Sequence, residues 1–261
     1  MRSAIKVFLV AAVMLLGACG GGGGSDSPCG DITGKVTGGS SCSAEGSPVV
    51  ALVAVKVVGE NLVQIGSCSG TIVTNDDILT AAHCILTPKQ DGADGFLVVT
   101  DKGSYPVVRY KVNPFYTGTG SAFDTAMVTV GVNLGVPPVP FNVTDVVSPN
   151  EEITVYGYGN DEEGYSFVDL GLSALKAGNM IVGATVPGLF AASFDESGSA
   201  ICQGDSGGPV IQTIGGVPSI VGVTSFTYRG CVEGSVSGFV SMQVRGNMEF
   251  VRGYAGDVVV R

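Results

Sequence analysis

The chain has 261 residues, 45% of them hydrophobic, with 41 glycines, seven cysteines and a single histidine. Thirteen Lys and Arg against 23 Asp and Glu leave a formal charge of −10, which repels nucleic acid and anionic membrane surfaces and excludes both as electrostatic partners. There is no zinc-ligand spacing, and Gly20 to Gly24 lacks the strand, lysine and helix of a phosphate-cradling loop, so neither metal nor cofactor is expected.

In chain order, residues 1–18 read as an export signal. Arg2 and Lys6 give a basic start, and the apolar run from Val7 to Leu16 is too short to span a bilayer comfortably. Leu16-Gly17-Ala18-Cys19 resembles a bacterial lipobox, which implies cleavage before Cys19 and lipidation of that cysteine. Gly20 beside Cys19, in place of aspartate, then points to the outer membrane of a Gram-negative cell. The alternative is an ordinary secretory signal, a leftover Cys19 and a secreted protein. Beyond a Gly-rich tether, β-branched or apolar runs separated by turn residues predict strands. They cover Val49 to Val58, Gln64 to Val73, Ile78 to Ala82, Phe96 to Thr100, Val107 to Val112, Ala126 to Val130, Ile153 to Tyr158, Val210 to Ile214 and Ile220 to Thr224. Arg245 to Tyr254 is predicted as a terminal helix. No repeat or second catalytic unit interrupts the roughly 225 residues after the tether.

Two motifs carry chemistry. Gly204-Asp205-Ser206-Gly207-Gly208-Pro209 presents a candidate nucleophile, and Thr80-Ala81-Ala82-His83-Cys84 holds the only imidazole. A serine hydroxyl is a weak nucleophile at neutral pH and needs a base, with a third group to orient that base. His83 must be the base if Ser206 reacts. Asp124, in Phe123-Asp124-Thr125-Ala126-Met127-Val128, is the acid best placed by context to hold it. The order His, Asp, Ser separates this constellation from the subtilisin and α/β-hydrolase orders.

These motifs, with Tyr156-Gly157-Tyr158-Gly159 standing where a Gly-Trp-Gly segment is usual, resemble the chymotrypsin (trypsin-like) serine protease family from about Val36 to the C-terminus. The resemblance implies an all-β fold of two packed six-stranded antiparallel barrels with a short C-terminal helix. The Val136-Pro137-Pro138-Val139-Pro140 linker then crosses between the barrels. It implies an oxyanion hole from the backbone N–H groups of Gly204 and Ser206. Lipidation of Cys19 leaves six cysteines, which by counting alone pair in 15 ways. The resemblance selects Cys68 with Cys84 and Cys202 with Cys231, leaving Cys29 for Cys42. Such bridges require an oxidising compartment.

Lys35-Val36-Thr37-Gly38-Gly39 resembles the activation junction of the family's zymogens. Residues 19–35 are thus expected to be tether and propeptide, and 36–261 the protease domain. Cleavage after Lys35 would free the Val36 amine to pair with Asp205 and order the oxyanion hole. For the specificity pocket the family positions fall on Ala200, Ile201, Ser225, Phe226, Thr227 and Gly238. Ala200 offers no carboxylate, so a substrate Lys or Arg would be buried unpaired. Thr227, β-branched where wide pockets have glycine, narrows the opening. The expectation is cleavage after small or medium apolar residues such as Ala or Val, protein or peptide substrates, and a separate trypsin-like activating protease, with membrane attachment through the lipid alone. The alternatives are a surface binding protein on the same fold, or an esterase using the same serine.

Overall fold

In a computed structural model, which describes residues 40–159 and 174–261, fourteen strands form two antiparallel sheets with three helices at their margins. In chain order these are β1 (Ser40–Cys42), β2 (Val49–Val58), β3 (Asn61–Ile72), β4 (Asp77–Thr80), α1 (His83–Gln90), β5 (Gly95–Thr100), β6 (Gly103–Pro106), β7 (Arg109–Val112), β8 (Ala126–Thr129), β9 (Glu152–Gly157), β10 (Leu175–Val186), β11 (Leu189–Ser193), α2 (Phe194–Ser197), β12 (Pro209–Ile214), β13 (Val217–Tyr228), β14 (Val236–Ser241) and α3 (Arg245–Tyr254).

The first sheet runs β6-β5-β2-β3-β4-β8-β7. Its central strand β2 is almost wholly apolar, and Val49 to Val55 are all buried. A strand covered on both faces has no reason to alternate. Leu52, Ile72, Ile78, Leu79 and Met127 are fully buried in this core, each contributing about 1.5–3 kcal/mol over an exposed position. In the second sheet β10-β11-β14-β13-β12-β9 close on themselves through a β10–β9 pairing, and β1 adds to β10. This barrel is filled by Ile153, Val155, Met180, Val182, Phe190, Val210, Val221 and Phe239. Of the two six-stranded barrels expected, the second is present as a closed six-stranded barrel, whereas the first is an open, curled half-barrel sheet of seven strands, to which the Gly103–Pro106 segment adds an edge, where a proline is tolerated.

The proline-rich linker crosses between the sheets as expected. Val139 N–H donates to the Ile72 carbonyl of β3 at 3.2 Å, and the next residue, Pro140, accepts Ile220 N–H from β13 at 2.8 Å. The sheets thus meet along a seam, and the connections at that seam carry His83, Asp124 and Ser206.

Candidate active site

His83 is the first residue of α1, separated from the end of β4 by Ala81 and Ala82, so its backbone N–H belongs to the first turn and lacks an intrahelical acceptor. Asp124 supplies one. Its Oδ1 accepts the His83 amide at 3.0 Å while Oδ2 accepts the ring Nδ1–H at 2.8 Å. A carboxylate only accepts, so Nδ1 carries a proton, and in the neutral ring Nε2 keeps its lone pair. The Asp124 side chain is 1% exposed and that of His83 27% exposed, which places Asp124 behind His83 and His83 at the surface of the cleft. Ser225 Oγ donates to the same Oδ2 at 2.5 Å. That contact was not expected; the pair is 101 residues apart, and nothing local in the chain signals it.

Ser206 comes from the second barrel, on the loop leading into β12. Its carbonyl accepts Ser69 N–H at 2.7 Å, and Gly207 N–H donates to the Thr224 carbonyl at 2.8 Å, so the loop is pinned on both sides. Cys84 Sγ lies 3.8 Å from His83 Nε2 and 3.6 Å from the Ser206 carbonyl oxygen, which puts serine and imidazole around one sulfur. Among the described residues, Ser206 Oγ and Nε2 are not hydrogen-bonded to each other. Such bonds are often long without substrate and tighten in the complex.

The serine loop has the backbone for an anion site. Gly204 has φ +99° and Gly207 φ +83°, both in the left-handed region that glycine reaches without strain. Among the described residues the N–H groups of Gly204 and Ser206 have no acceptor. Asp205 is fully buried, its Oδ1 accepting Gly159 N–H and its Oδ2 accepting Cys202 N–H, each at 2.8 Å. This explains the Tyr-Gly-Tyr-Gly motif. A Cβ on Gly159 would stand 2.6 Å from Asp205 Oδ1. Tyr158 N–H donates to Ser69 Oγ at 2.9 Å, and Ser69 Oγ donates to the Gly204 carbonyl at 2.8 Å. The Tyr158 hydroxyl donates to the Val49 carbonyl at 3.2 Å.

A cleft of about 870 Å³ opens along the seam, and His83, Asp124, Gly204 and Ser206 all line it. Of the six expected pocket residues, Ile201, Ser225, Phe226 and Thr227 line this cleft. Ala200 is fully buried and does not line it, and Gly238 is buried against the Phe226 ring. Cys68 pairs with Cys84 and Cys202 with Cys231, both as expected. Cys42 is also disulfide-bonded. The assignments to Cys19, Cys29, Lys35 and Val36 lie outside the described residues. Cys68, His83 and Cys84 bring three ligand-type atoms within 4.8 Å of one another, but both sulfurs belong to the disulfide and offer no thiolate.

Two curled antiparallel β-sheets with serine, histidine and aspartate on the cleft between them define the chymotrypsin-like class of serine proteases. The family model named Trypsin matches residues 30–244, and the chain belongs to the trypsin family. It is 27% identical over 180 residues to a trypsin of Saccharopolyspora erythraea, covering 64% of this chain and 77% of that one. It is 27% identical to a venom serine protease of Polistes dominula, with 70% and 74% covered, and 24% identical to chymotrypsin-like elastase family member 1 of Macaca fascicularis, with 63% and 70% covered. The protein is accordingly a serine-type endopeptidase.

Proposed function

We propose that the protein hydrolyses peptide bonds through an acyl-enzyme formed on Ser206, with His83 as general base and then general acid, and Asp124 orienting the imidazole. The observation that carries this reading is the single Asp124 carboxylate holding both the His83 backbone and its Nδ1–H, which in the neutral ring puts the free lone pair on Nε2, in the cleft that His83 and Ser206 both line. Ser206 Oγ attacks the scissile carbonyl, Nε2 takes its proton, and the same proton passes to the departing amine. The tetrahedral oxyanion is received by the Gly204 and Ser206 N–H groups, donors worth several kcal/mol to the transition state.

Activation follows the same reading. Cleavage after Lys35 releases a Val36 amine that pairs with buried Asp205, the residue before Ser206, and so completes the oxyanion hole. Ala200 gives a substrate Lys or Arg no carboxylate partner, so the enzyme prefers small or medium apolar residues before the scissile bond (P1). It therefore depends on another protease to cut after Lys35. A Cys29–Cys42 bridge would keep the activated domain joined to a lipidated Cys19, and the substrates would be proteins close to the membrane.

The test treats purified, non-lipidated protein with a trace of trypsin and follows N-terminal sequence together with Ser206 labelling by a fluorophosphonate. The proposal expects Val-Thr-Gly-Gly to appear with a rise in labelling. Full labelling before any cut would contradict the zymogen reading.

A further inference from the structure

The Cys68–Cys84 disulfide stands against the imidazole of His83. Cys84 Sγ is 3.8 Å from His83 Nε2, the ligand-type atoms of Cys68, His83 and Cys84 lie within 4.8 Å of one another, and all three residues line the cleft. In a tetrahedral zinc site, with Zn–S about 2.3 Å and Zn–N about 2.0 Å, a sulfur and a nitrogen stand about 3.5 Å apart and two sulfurs about 3.8 Å. The sulfur–nitrogen pair is therefore already spaced for such an ion, and breaking the S–S bond lets the two sulfurs part. Their Cα atoms are 6.1 Å apart, so rotation about the two Cα–Cβ bonds suffices.

The surroundings of such a site are in place. A metal-bound histidine characteristically donates its other ring N–H to a carboxylate, and buried Asp124 accepts His83 Nδ1–H at 2.8 Å, which leaves the lone pair of the neutral ring on Nε2. Cys84 is the second residue of α1, and a helix N-terminus favours thiolate over thiol. The disulfide is also not the only tie between β3 and the start of α1. Thr80 Oγ1 donates to the Ser69 carbonyl at 2.8 Å, Ser69 N–H donates to the Ser206 carbonyl at 2.7 Å, and Ile85 of α1 is fully buried. These contacts keep the three side chains together when the S–S bond is cut.

We infer that reduction of Cys68–Cys84 creates a zinc site of two thiolates and His83 Nε2, with its fourth position open to the cleft, and that the bound ion withholds the imidazole from Ser206. A dithiol supplies two electrons and two protons, the S–S bond becomes two thiols, and the dithiol closes to its own disulfide. Zinc then displaces both thiol protons to solvent and accepts the Nε2 lone pair, with no change in its oxidation state. Nε2 cannot hold the metal and take the Ser206 proton at once, so the reduced, metal-bound protein is silent. Reoxidation to the disulfide removes both thiolate ligands and releases the ion. The metal site stands apart from the endopeptidase reading of Ser206, and only its effect on activity rests on that reading.

The test reduces the activated, non-lipidated protein with a dithiol, removes the dithiol without oxygen and titrates with Co(II), whose thiolate complexes absorb by charge transfer. The reduced parent is expected to bind one more Co(II) per chain than a reduced Cys68→Ser/Cys84→Ser variant. An equal number bound, or a parent that unfolds on reduction as read by circular dichroism, would overturn the inference. Asp124→Asn keeps both cysteines and supplies a second comparison. Its Co(II) affinity at this site should be about 10- to 100-fold lower, and an unchanged affinity would count against His83 as a ligand. Zn(II) should abolish fluorophosphonate labelling of Ser206 in the reduced parent and leave it unchanged in the oxidised one; labelling that survives full occupancy would also overturn the inference. No labelling of the oxidised, metal-free parent would instead count against the endopeptidase reading, and the Co(II) count would still decide the site.

Discussion

Asp124 serves His83 with both carboxylate oxygens, one on the backbone at the start of α1 and one on the ring. Replacing it with asparagine puts an amide N–H where an acceptor is required, which drives the proton from Nδ1 to Nε2 and removes the base. Asp124→Asn should lower kcat by about 10⁴-fold with little change in KM, measured on a peptide amide at neutral pH. A fall confined to KM would show that the carboxylate is not orienting the base. That His83 and Ser206 share one cleft was legible in the chain, because one imidazole and one Gly-Asp-Ser-Gly-Gly-Pro hexapeptide left no competitors. The Ser225 contact to Asp124 was not, because it is formed by the meeting of two barrels. Tyr158 tests the motif around Asp205. Burial, with a smaller contribution from the Asp101 carboxylate, pushes its phenol from 10.0 up to about 12. The folded value is the higher one, so this group's contribution to stability is complete below pH 10 and is lost as pH rises from 10 toward 12. Two pKa units correspond to about 3 kcal/mol. Urea midpoints between pH 9 and 12 should fall less steeply in Tyr158→Phe than in the parent, and parallel slopes would show that the phenol does not ionise on unfolding.

The helix α3 is tied to the Asp124 loop by one side chain. Asn247 is fully buried; its Oδ1 accepts Asn113 Nδ2–H at 3.0 Å and Thr125 Oγ1–H at 3.4 Å, and its Nδ2 donates to the Ala122 and Ser241 carbonyls at 2.8 and 2.9 Å. Asn247→Ala leaves these buried partners unsatisfied, at about 1–3 kcal/mol. Its unfolding midpoint should drop accordingly, and kcat should fall more than KM rises because residues flanking Asp124 lose their anchor. Unchanged kcat with lowered stability would make the helix a support only. The bounds of α3 and of β2 were legible to the residue, from a charged amphipathic stretch and a Val-rich run that is apolar except at Lys56. β10, β11 and β14 were missed for a physical reason. Their segments carry Gly178, Asn179, Gly183, Ala191, Ala192 and Gly238, residues with little intrinsic strand preference that are held there by pairing with neighbours on both sides. The start of α1 at His83 was missed as well, since no Ser, Thr, Asp or Asn precedes it as a cap and the helix is stabilised instead by Asp124 from 41 residues away.

At the scale of the molecule, two sheets that share a seam divide the proposed chemistry, with His83 and Asp124 carried by the first and Ser206 and the proposed anion donors by the second. The Cys68–Cys84 disulfide fastens α1 to β3 behind the base, and Cys202–Cys231 fastens the serine loop to the chain beyond β13. Each closes a loop whose cross-linking is worth about 2–4 kcal/mol. The overall architecture was legible because the order of the motifs along the chain matched one family. The packing of the Phe226 ring over Gly238 was not, because it depends on how β13 and β14 pair. The account as a whole stands on Ser206 cutting peptide bonds. The most direct measurement is the rate of hydrolysis of an Ala-P1 peptide amide by the trypsin-activated protein and by its Ser206→Ala variant prepared in the same way. The account predicts steady turnover by the parent and a loss of about 10⁶-fold in kcat in the variant. Equal rates for the two proteins, or no amide hydrolysis by either, would contradict it.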